Sequence, residues 1–492
     1  MKRLSLATLG DLPAGVRRPA YDPTSIGVGV VHLGVGAFHR AHQAVYLDDR
    51  IAAGERDWGI LGASLRSPDT ADALDPQDGL YAIAVRSGDG EAVRVVGSLR
   101  KTLVAPRDPG ALVAAMSDPR VRIVSLTVTE KGYCHDPATG ALREDHPDIV
   151  ADLAQPDRPR SAPGLLVAAL KRRRATGATP FTVLCCDNLP ANGETVARVV
   201  TRLAALHDPD LGRWVEGEVA FPSTMVDRIV PATTDADRAG ISAAMGLEDA
   251  WPIATEPFTQ WVIEDRFSAG RPRLDEAGAE MVADVAPYEL MKLRLLNGSH
   301  STIAYLGYLA GYETVSDAIN DPAIARLVRR LMDEDVTPTL TVPPGADLAG
   351  YKASLLARFA NPALKHRTWQ IAMDGTQKLP QRLLAPARAR LAAGAPVGRL
   401  ALGVAAWMRY VTGTDEAGRP IDVRDPMSAR LRAVADEAGP DAARLAPALA
   451  SIREVFGDDL PQNPRFMGPV TAALASLLRV GARRTTEDLP IP

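Results

Sequence analysis

Residues 26–33, IGVGVVHL, form a β-branched apolar run, the pattern of a buried strand. The run ends in Gly34-Val35-Gly36, and from Phe38 to Arg50 the apolar positions recur at helical spacing. Further short apolar runs predict strands at Trp58 to Arg66, Tyr81 to Arg86, Val93 to Leu99, Val121 to Val128 and Phe181 to Cys186. Helical patterns at Pro109 to Met116 and Ala162 to Arg174 fall between several of them. That alternation predicts an α/β unit built on a doubly wound, largely parallel sheet. From Pro287 onward the pattern changes to long Ala/Leu/Arg-rich helical segments: Tyr288 to Leu309, Pro322 to Asp333, Leu348 to Phe359, Ala385 to Ala392, Leu400 to Val411, Asp441 to Phe456 and Val470 to Val480. With no internal repeat or low-complexity linker to mark a boundary, the change of pattern divides the chain into 1–285 and a mainly α-helical 286–492.

The length of 492 residues agrees with more than one core, since domains average about 150 residues. With 46% hydrophobic and 24% charged residues the composition is globular, and a formal charge of −4 supplies no polybasic field for nucleic acid or anionic lipid. No apolar run approaches the roughly 20 residues of a membrane helix, and Met1-Lys2-Arg3 is followed by no signal-peptide core, so a cytoplasmic protein is expected. The cysteines, Cys134, Cys185 and Cys186, are odd in number, and the adjacent pair is poorly placed for a disulfide. A reducing compartment is therefore expected. No CxxC pair and no Cys/His cluster with zinc spacing occurs, and His39 and His42 have no carboxylate placed to complete a ligand set, so no metal is expected.

A strand feeding GVGAFH and then a helix satisfies the structural condition for a dinucleotide turn. Gly34 permits the tight turn and Gly36 lets backbone amides approach a pyrophosphate at the helix N-terminus. His39 stands where a third glycine is usual, so looser packing of helix on strand is expected there. Beyond the second strand Asp69 is placed to accept the ribose hydroxyls of NAD, whereas Arg66 could welcome the 2′-phosphate of NADP.

The segment PYELMKLRLLNGSH holds the candidate chemistry. At about 100° per residue, with Lys292 at zero, Glu289 falls at about 60°, His300 at about 80° and Asn297 at about 140°, so all can border one pocket. Oxidation of an alcohol needs a base for the hydroxyl proton as hydride leaves carbon. A desolvated Lys292 can serve, with Asn297 and His300 holding the oxygen and Glu289 relaying the proton. The spacing also fits a solvated Lys/Arg stripe that ends at the Asn297-Gly298 pair, with His300 in a structural hydrogen bond.

Six stretches in order choose between these readings: GVGAFHRAHQ from Gly34, SLTVTEKGYC from Ser125, CDNLPANG from Cys186, FPSTMVDRIVP from Phe221, EPFTQWVIED from Glu256 and MKLRLLNGSH from Met291. Together they resemble the polyol-specific long-chain dehydrogenases, the mannitol dehydrogenase family. The resemblance implies a Rossmann-like N-terminal domain, a helical C-terminal domain, NAD as cofactor, no metal and usually a monomer. It makes Lys292 the base, Asn297 and His300 the oxyanion partners and Glu289 the relay. It also places Phe38, His39 and Glu130 with the cofactor residues, and Asn188, Asp227 and Lys378 around a small open-chain sugar acid or polyol.

Within that family, the stretch HRTWQIAMDGTQKLPQRLL from His366 is more similar to the fructuronate-reducing members than to mannitol 2-dehydrogenases, which often carry arginine where Gln370 stands. Arg367, Lys378 and Arg382 in this stretch are cations that can meet a carboxylate. Interconversion of D-fructuronate and D-mannonate is therefore expected, with oxidation of mannitol, arabinitol or sorbitol as the alternative. A catalytically silent dinucleotide sensor on the same scaffold is a third reading, and it leaves Lys292, Asn297 and His300 without a purpose.

Overall fold

The computed structural model describes residues 1–136, 139–343 and 345–488. The chain divides into two compact units, Met1–Ala286 and Pro287–Pro492. The centre of the first is a five-stranded sheet of β1 (Val28–Leu33), β2 (Gly59–Ser64), β3 (Leu99–Val104), β4 (Ile123–Leu126) and β5 (Thr182–Cys185). All pairs are parallel and the spatial order is β3-β2-β1-β4-β5, so the winding direction reverses between β1 and β4.

Both faces of this sheet are covered, as the apolar runs require. Val31, Leu33, Val124 and Val183 pack in one core with the helices α3 (Pro109–Ser117) and α4 (Ala162–Thr176), while Val30, Ile60, Ile123 and Leu184 pack in another on the opposite face. The Ser161 side chain caps α4 by accepting from Gly164 N, and Gly177 at φ 69° ends it.

Two local expectations fail in the first unit. The run Val93 to Leu99 is not one strand: Gly90–Val96 pairs antiparallel with Tyr81–Ser87 in a separate small sheet, and the chain enters β3 only at Leu99. The turn residues Ser87 to Gly90 form a hairpin inside what reads as a βα alternation. The helix expected from Phe38 to Arg50 is broken into α1 (Ala37–Ala41) and α2 (Gln43–Ala52) at His42, whose backbone lies at φ −122°, ψ −90°. The His42 ring explains the break, because its Nε2 is 2.8 Å from the Gln260 carbonyl and the ring packs against Phe38, Tyr46 and Trp261.

The second unit is helical, and among the described residues it has only isolated bridges and no extended strand. The helices Leu348–Phe359 and Ala385–Ala392 have the expected bounds. Helix α5 (Gly298–Leu309) runs through one continuous core with α6 (Gly398–Tyr410) and α7 (Pro464–Asp488), in which Tyr305, Trp407, Tyr410 and Phe456 are fully buried. Among the described residues three segments are π-helical: Lys292–Asn297, Leu331–Val336 and Pro380–Leu384. Among the described residues no helix is long and apolar enough to cross a membrane.

Candidate active site

In the first unit a cleft of about 810 Å³ opens at the carboxyl ends of β1, β2 and β4, where the winding reverses. That is where open α/β sheets take their ligands. Gly34 sits at φ 95°, and a Cβ there would lie 2.2 Å from the Thr127 carbonyl oxygen, so only glycine fits. A Cβ on Gly36 would meet nothing nearer than 3.9 Å, which leaves the cleft floor open to a ligand. Both glycines line the cleft, together with Arg66, Ser67 and Thr70 after β2 and Thr127 to Thr129 after β4. The glycine pair and the switch point fit the pyrophosphate end of a dinucleotide.

The other residues assigned to the cofactor lie around this cleft at different depths. Arg66 is exposed on the cleft wall; Asp69 is exposed three residues later, at the start of the helix Asp69–Leu74, and is not one of the lining residues. Glu130 is exposed at the start of the turn Glu130–Tyr133. Phe38 is half-buried, with its ring 5.0 Å from that of His42. His39 packs inward from α1. Its imidazole is buried, stacked on His32 of β1 with centroids 3.3 Å apart, and is within 3.3 Å of Gln43 Oε1. Burial pushes both imidazoles down in pKa, so the space of the absent glycine holds a neutral ring pair.

One segment of the cleft is strained. Thr129 adopts φ 67°, ψ 164°, a region otherwise left to glycine and costing about 1–3 kcal/mol. Such a conformation persists only where neighbours over-determine it. Here the Asp187 carboxylate, just beyond β5, accepts from Thr129 N at 3.0 Å and from Val128 N at 2.8 Å. Sequence reasoning missed both residues; the CDN of CDNLPANG is the one signal that could have found Asp187. Asn188 comes next in the chain as an exposed residue, and Asp227 is buried at the end of the strand Thr224–Asp227.

One group among the described residues could offer three ligand atoms to a metal: Cys134, His146 and Asp148, within 4.8 Å of one another. His146 Nδ1 is already the acceptor for Asp148 N at the start of the helix Pro147–Ala154, and burial pushes the Cys134 thiol up to about 12.

In the second unit the helix does not stop at Asn297-Gly298. It runs on from Ala286–Met291 through the π-helical Lys292–Asn297 into α5. A Cβ on Gly298 would lie 2.8 Å from the Arg382 carbonyl oxygen, so this glycine serves close packing. The π turn also corrects the phasing. Its i→i+5 geometry holds one extra residue and winds the later positions back by about 100°, which brings Asn297 to about 40° and His300 to about −20° from Lys292. The three share one face more closely than a regular helix allows. Lys292 and His300 are buried, and Asn297 and Glu289 are half-buried.

His300 packs against Phe359 and His366, with ring centroids at 5.2 and 5.0 Å. Burial drives its pKa well below the usual imidazole value, and His366, Arg382, Arg358 and Lys378 all push the same way. The ring is neutral at ordinary pH, and its Nε2 has no hydrogen-bond partner among the described residues. His366 is likewise pushed down to about 4 by burial and by Lys378.

The cations assigned to the substrate divide. Lys378 donates to the carbonyls of Ile371 and Met373 at 3.3 and 2.5 Å, and Arg382 donates to Ser301 Oγ at 3.1 Å and the Asn297 carbonyl at 3.5 Å. Both act on His300. Arg367 does not join them: its side chain is exposed and lies 3.8 Å from Glu313, because it is at the outward-facing start of the short helix Thr368–Ala372. Gln370 is half-buried on that helix. The buried cation that replaces Arg367 is Arg358, in the last turn of Leu348–Phe359. A single arginine in an amphipathic helix carries no sequence signal.

The mannitol dehydrogenase Rossmann-domain family model matches residues 28–276, and the mannitol dehydrogenase C-terminal-domain model matches 284–478. An uncharacterized oxidoreductase of Escherichia coli K12, YeiQ, is 50% identical over 475 residues, 96% of this chain and 97% of that protein. The D-mannonate oxidoreductase of the same strain is 47% identical over 490 residues, 98% of this chain and 100% of that one. The solved ternary complex of Pseudomonas fluorescens mannitol 2-dehydrogenase with NAD and D-mannitol has a TM-score of 0.92 at 40% identity, covering 99% of each chain. With both units matched by the family's own domain models, this chain belongs to the mannitol dehydrogenase family of oxidoreductases.

Proposed function

We propose that the protein is an NAD-dependent, metal-independent reductase that interconverts D-fructuronate and D-mannonate. The observation that carries the substrate is the cationic surrounding of His300: Arg358, Lys378 and Arg382 all bear on one neutral imidazole. A carboxylate entering such a place gains charge-assisted hydrogen bonds that a hydroxymethyl group does not. The 47% identity to a D-mannonate oxidoreductase supports the same choice.

NAD(H), when bound in the cleft of the first unit, supplies or accepts the hydride. Lys292, as an ammonium group, donates a proton to the carbonyl oxygen as hydride arrives at carbon, and as a free amine it takes that proton back in the oxidation. Asn297 and neutral His300 donate hydrogen bonds to the oxygen while it carries negative charge. Glu289, one turn before Lys292, exchanges the proton with water.

The test is NADH oxidation on addition of D-fructuronate, with D-mannonate as the identified product. Turnover is expected to survive exhaustive chelation, since the base is a lysine; loss with EDTA and recovery with zinc or manganese would overturn the metal-independent mechanism. Higher efficiency with NADPH than with NADH would give the ribose site to Arg66 instead of Asp69.

A further inference from the structure

Asp187 is one residue short of the predicted substrate residue Asn188, and it does not line the cleft. Its carboxylate nonetheless takes three donors: Val128 N at 2.8 Å and the Tyr133 hydroxyl at 2.6 Å on Oδ2, and Thr129 N at 3.0 Å on Oδ1. All three belong to the segment that supplies Thr127, Val128, Thr129, Lys131 and Gly132 to the cleft wall. That segment is folded hard against itself. A Cβ on Gly132 would lie 2.8 Å from Val128 Cγ2, and Gly132 N donates to the Thr129 carbonyl at 2.9 Å. Asp187 is held in turn by buried Asn192, whose Nδ2 donates to the Asp187 carbonyl at 3.0 Å and to the Thr224 carbonyl at 2.9 Å. A connected chain thus runs from Asn192 through Asp187 to the strained Thr129.

We propose that Asp187 is a positioning residue for the dinucleotide: its carboxylate clamps residues 127–132 in the strained conformation that the cofactor binds. The inference rests on the reading that this cleft takes NAD(H). An ionised carboxylate accepts on both oxygens, so it can hold all three donors; protonation turns one oxygen into a donor and releases an amide or the phenol. Burial raises the Asp187 carboxyl to about 6, with Glu130 nearby adding to the rise and the three donors opposing it. The other titratable groups against it, Tyr133 on the same turn and Cys185 on β5, are kept neutral by burial. Affinity for the cofactor is therefore full above about pH 6 and falls as pH drops through that value.

The experiment is titration of the full chain with NADH between pH 5 and pH 8, for wild type, Asp187→Asn and Tyr133→Phe. Wild type should lose about tenfold in affinity per pH unit below the midpoint. Asp187→Asn keeps one acceptor oxygen, so it should bind about tenfold or more weakly at pH 8, with the pH dependence gone and the loss seen in KM for NADH more than in kcat. Tyr133→Phe removes one donor to the carboxylate and should move the midpoint upward. Asp187→Asn binding like wild type at pH 8, or tracing the same pH curve, overturns the proposal. If Asp187→Asn does not fold, an unmoved midpoint in Tyr133→Phe overturns it. Wild type that binds no NADH at pH 8 removes the cofactor reading itself, and the clamp with it.

Discussion

Replacing Lys292 with alanine is expected to lower kcat by about 10² to 10⁴ while leaving NADH binding close to wild type. The separation comes from the architecture. Lys292 lies in the second unit, on the π-helical turn Lys292–Asn297, whereas Gly34, Gly36 and the β4 segment that make the dinucleotide cleft belong to the first. The alanine variant keeps Asn297 and His300, so part of the oxyanion stabilisation persists and turnover should not vanish entirely. Stopped-flow or steady-state NADH oxidation measures the loss, and fluorescence titration measures binding. More than about a tenth of wild-type turnover in this variant would exclude Lys292 as the base.

The second large effect is expected at Arg358. Replacing it with methionine, similar in length and without charge, should lower kcat/KM for D-fructuronate by about 10- to 150-fold, the equivalent of about 1.5–3 kcal/mol for a charge-assisted hydrogen bond. The loss should fall chiefly on the uronate. The reacting ends of D-fructuronate and D-fructose are alike, so Lys292, Asn297 and His300 cannot tell them apart, and the ratio of their efficiencies should narrow. Arg358 is the variant to make because it is buried and acts on His300. Equal losses on both sugars would assign Arg358 a packing role.

Sequence reveals the parts of this molecule that repeat a period or demand a particular residue. β1 and the Gly34-Val35-Gly36 turn are legible because a doubly buried strand is mostly apolar and because φ 95° against the Thr127 carbonyl admits only glycine. Lys292, Asn297 and His300 are legible as a group. Their true phasing is not, since a π turn adds a single residue without any change of composition. The break at His42 is hidden for a related reason: its cause is the Gln260 carbonyl, more than two hundred residues away. Arg367 and Arg358 look alike as letters, and only the structure shows one against Glu313 in solvent and the other buried, with its charge acting on His300. Thr129 is the least legible of all. A β-branched residue in a conformation left to glycine is held there by Asp187, and neither letter announces the strain.

The central claim, a keto-uronate reductase whose second unit selects a carboxylate, is tested most directly by one ratio in the wild-type protein. That ratio is kcat/KM for D-fructuronate divided by kcat/KM for D-fructose, measured with NADH at pH 7. The cations around His300 predict a value of about 10 to 150 in favour of the uronate. A ratio at or below one, with D-fructose or D-mannitol as the better substrate, would contradict it.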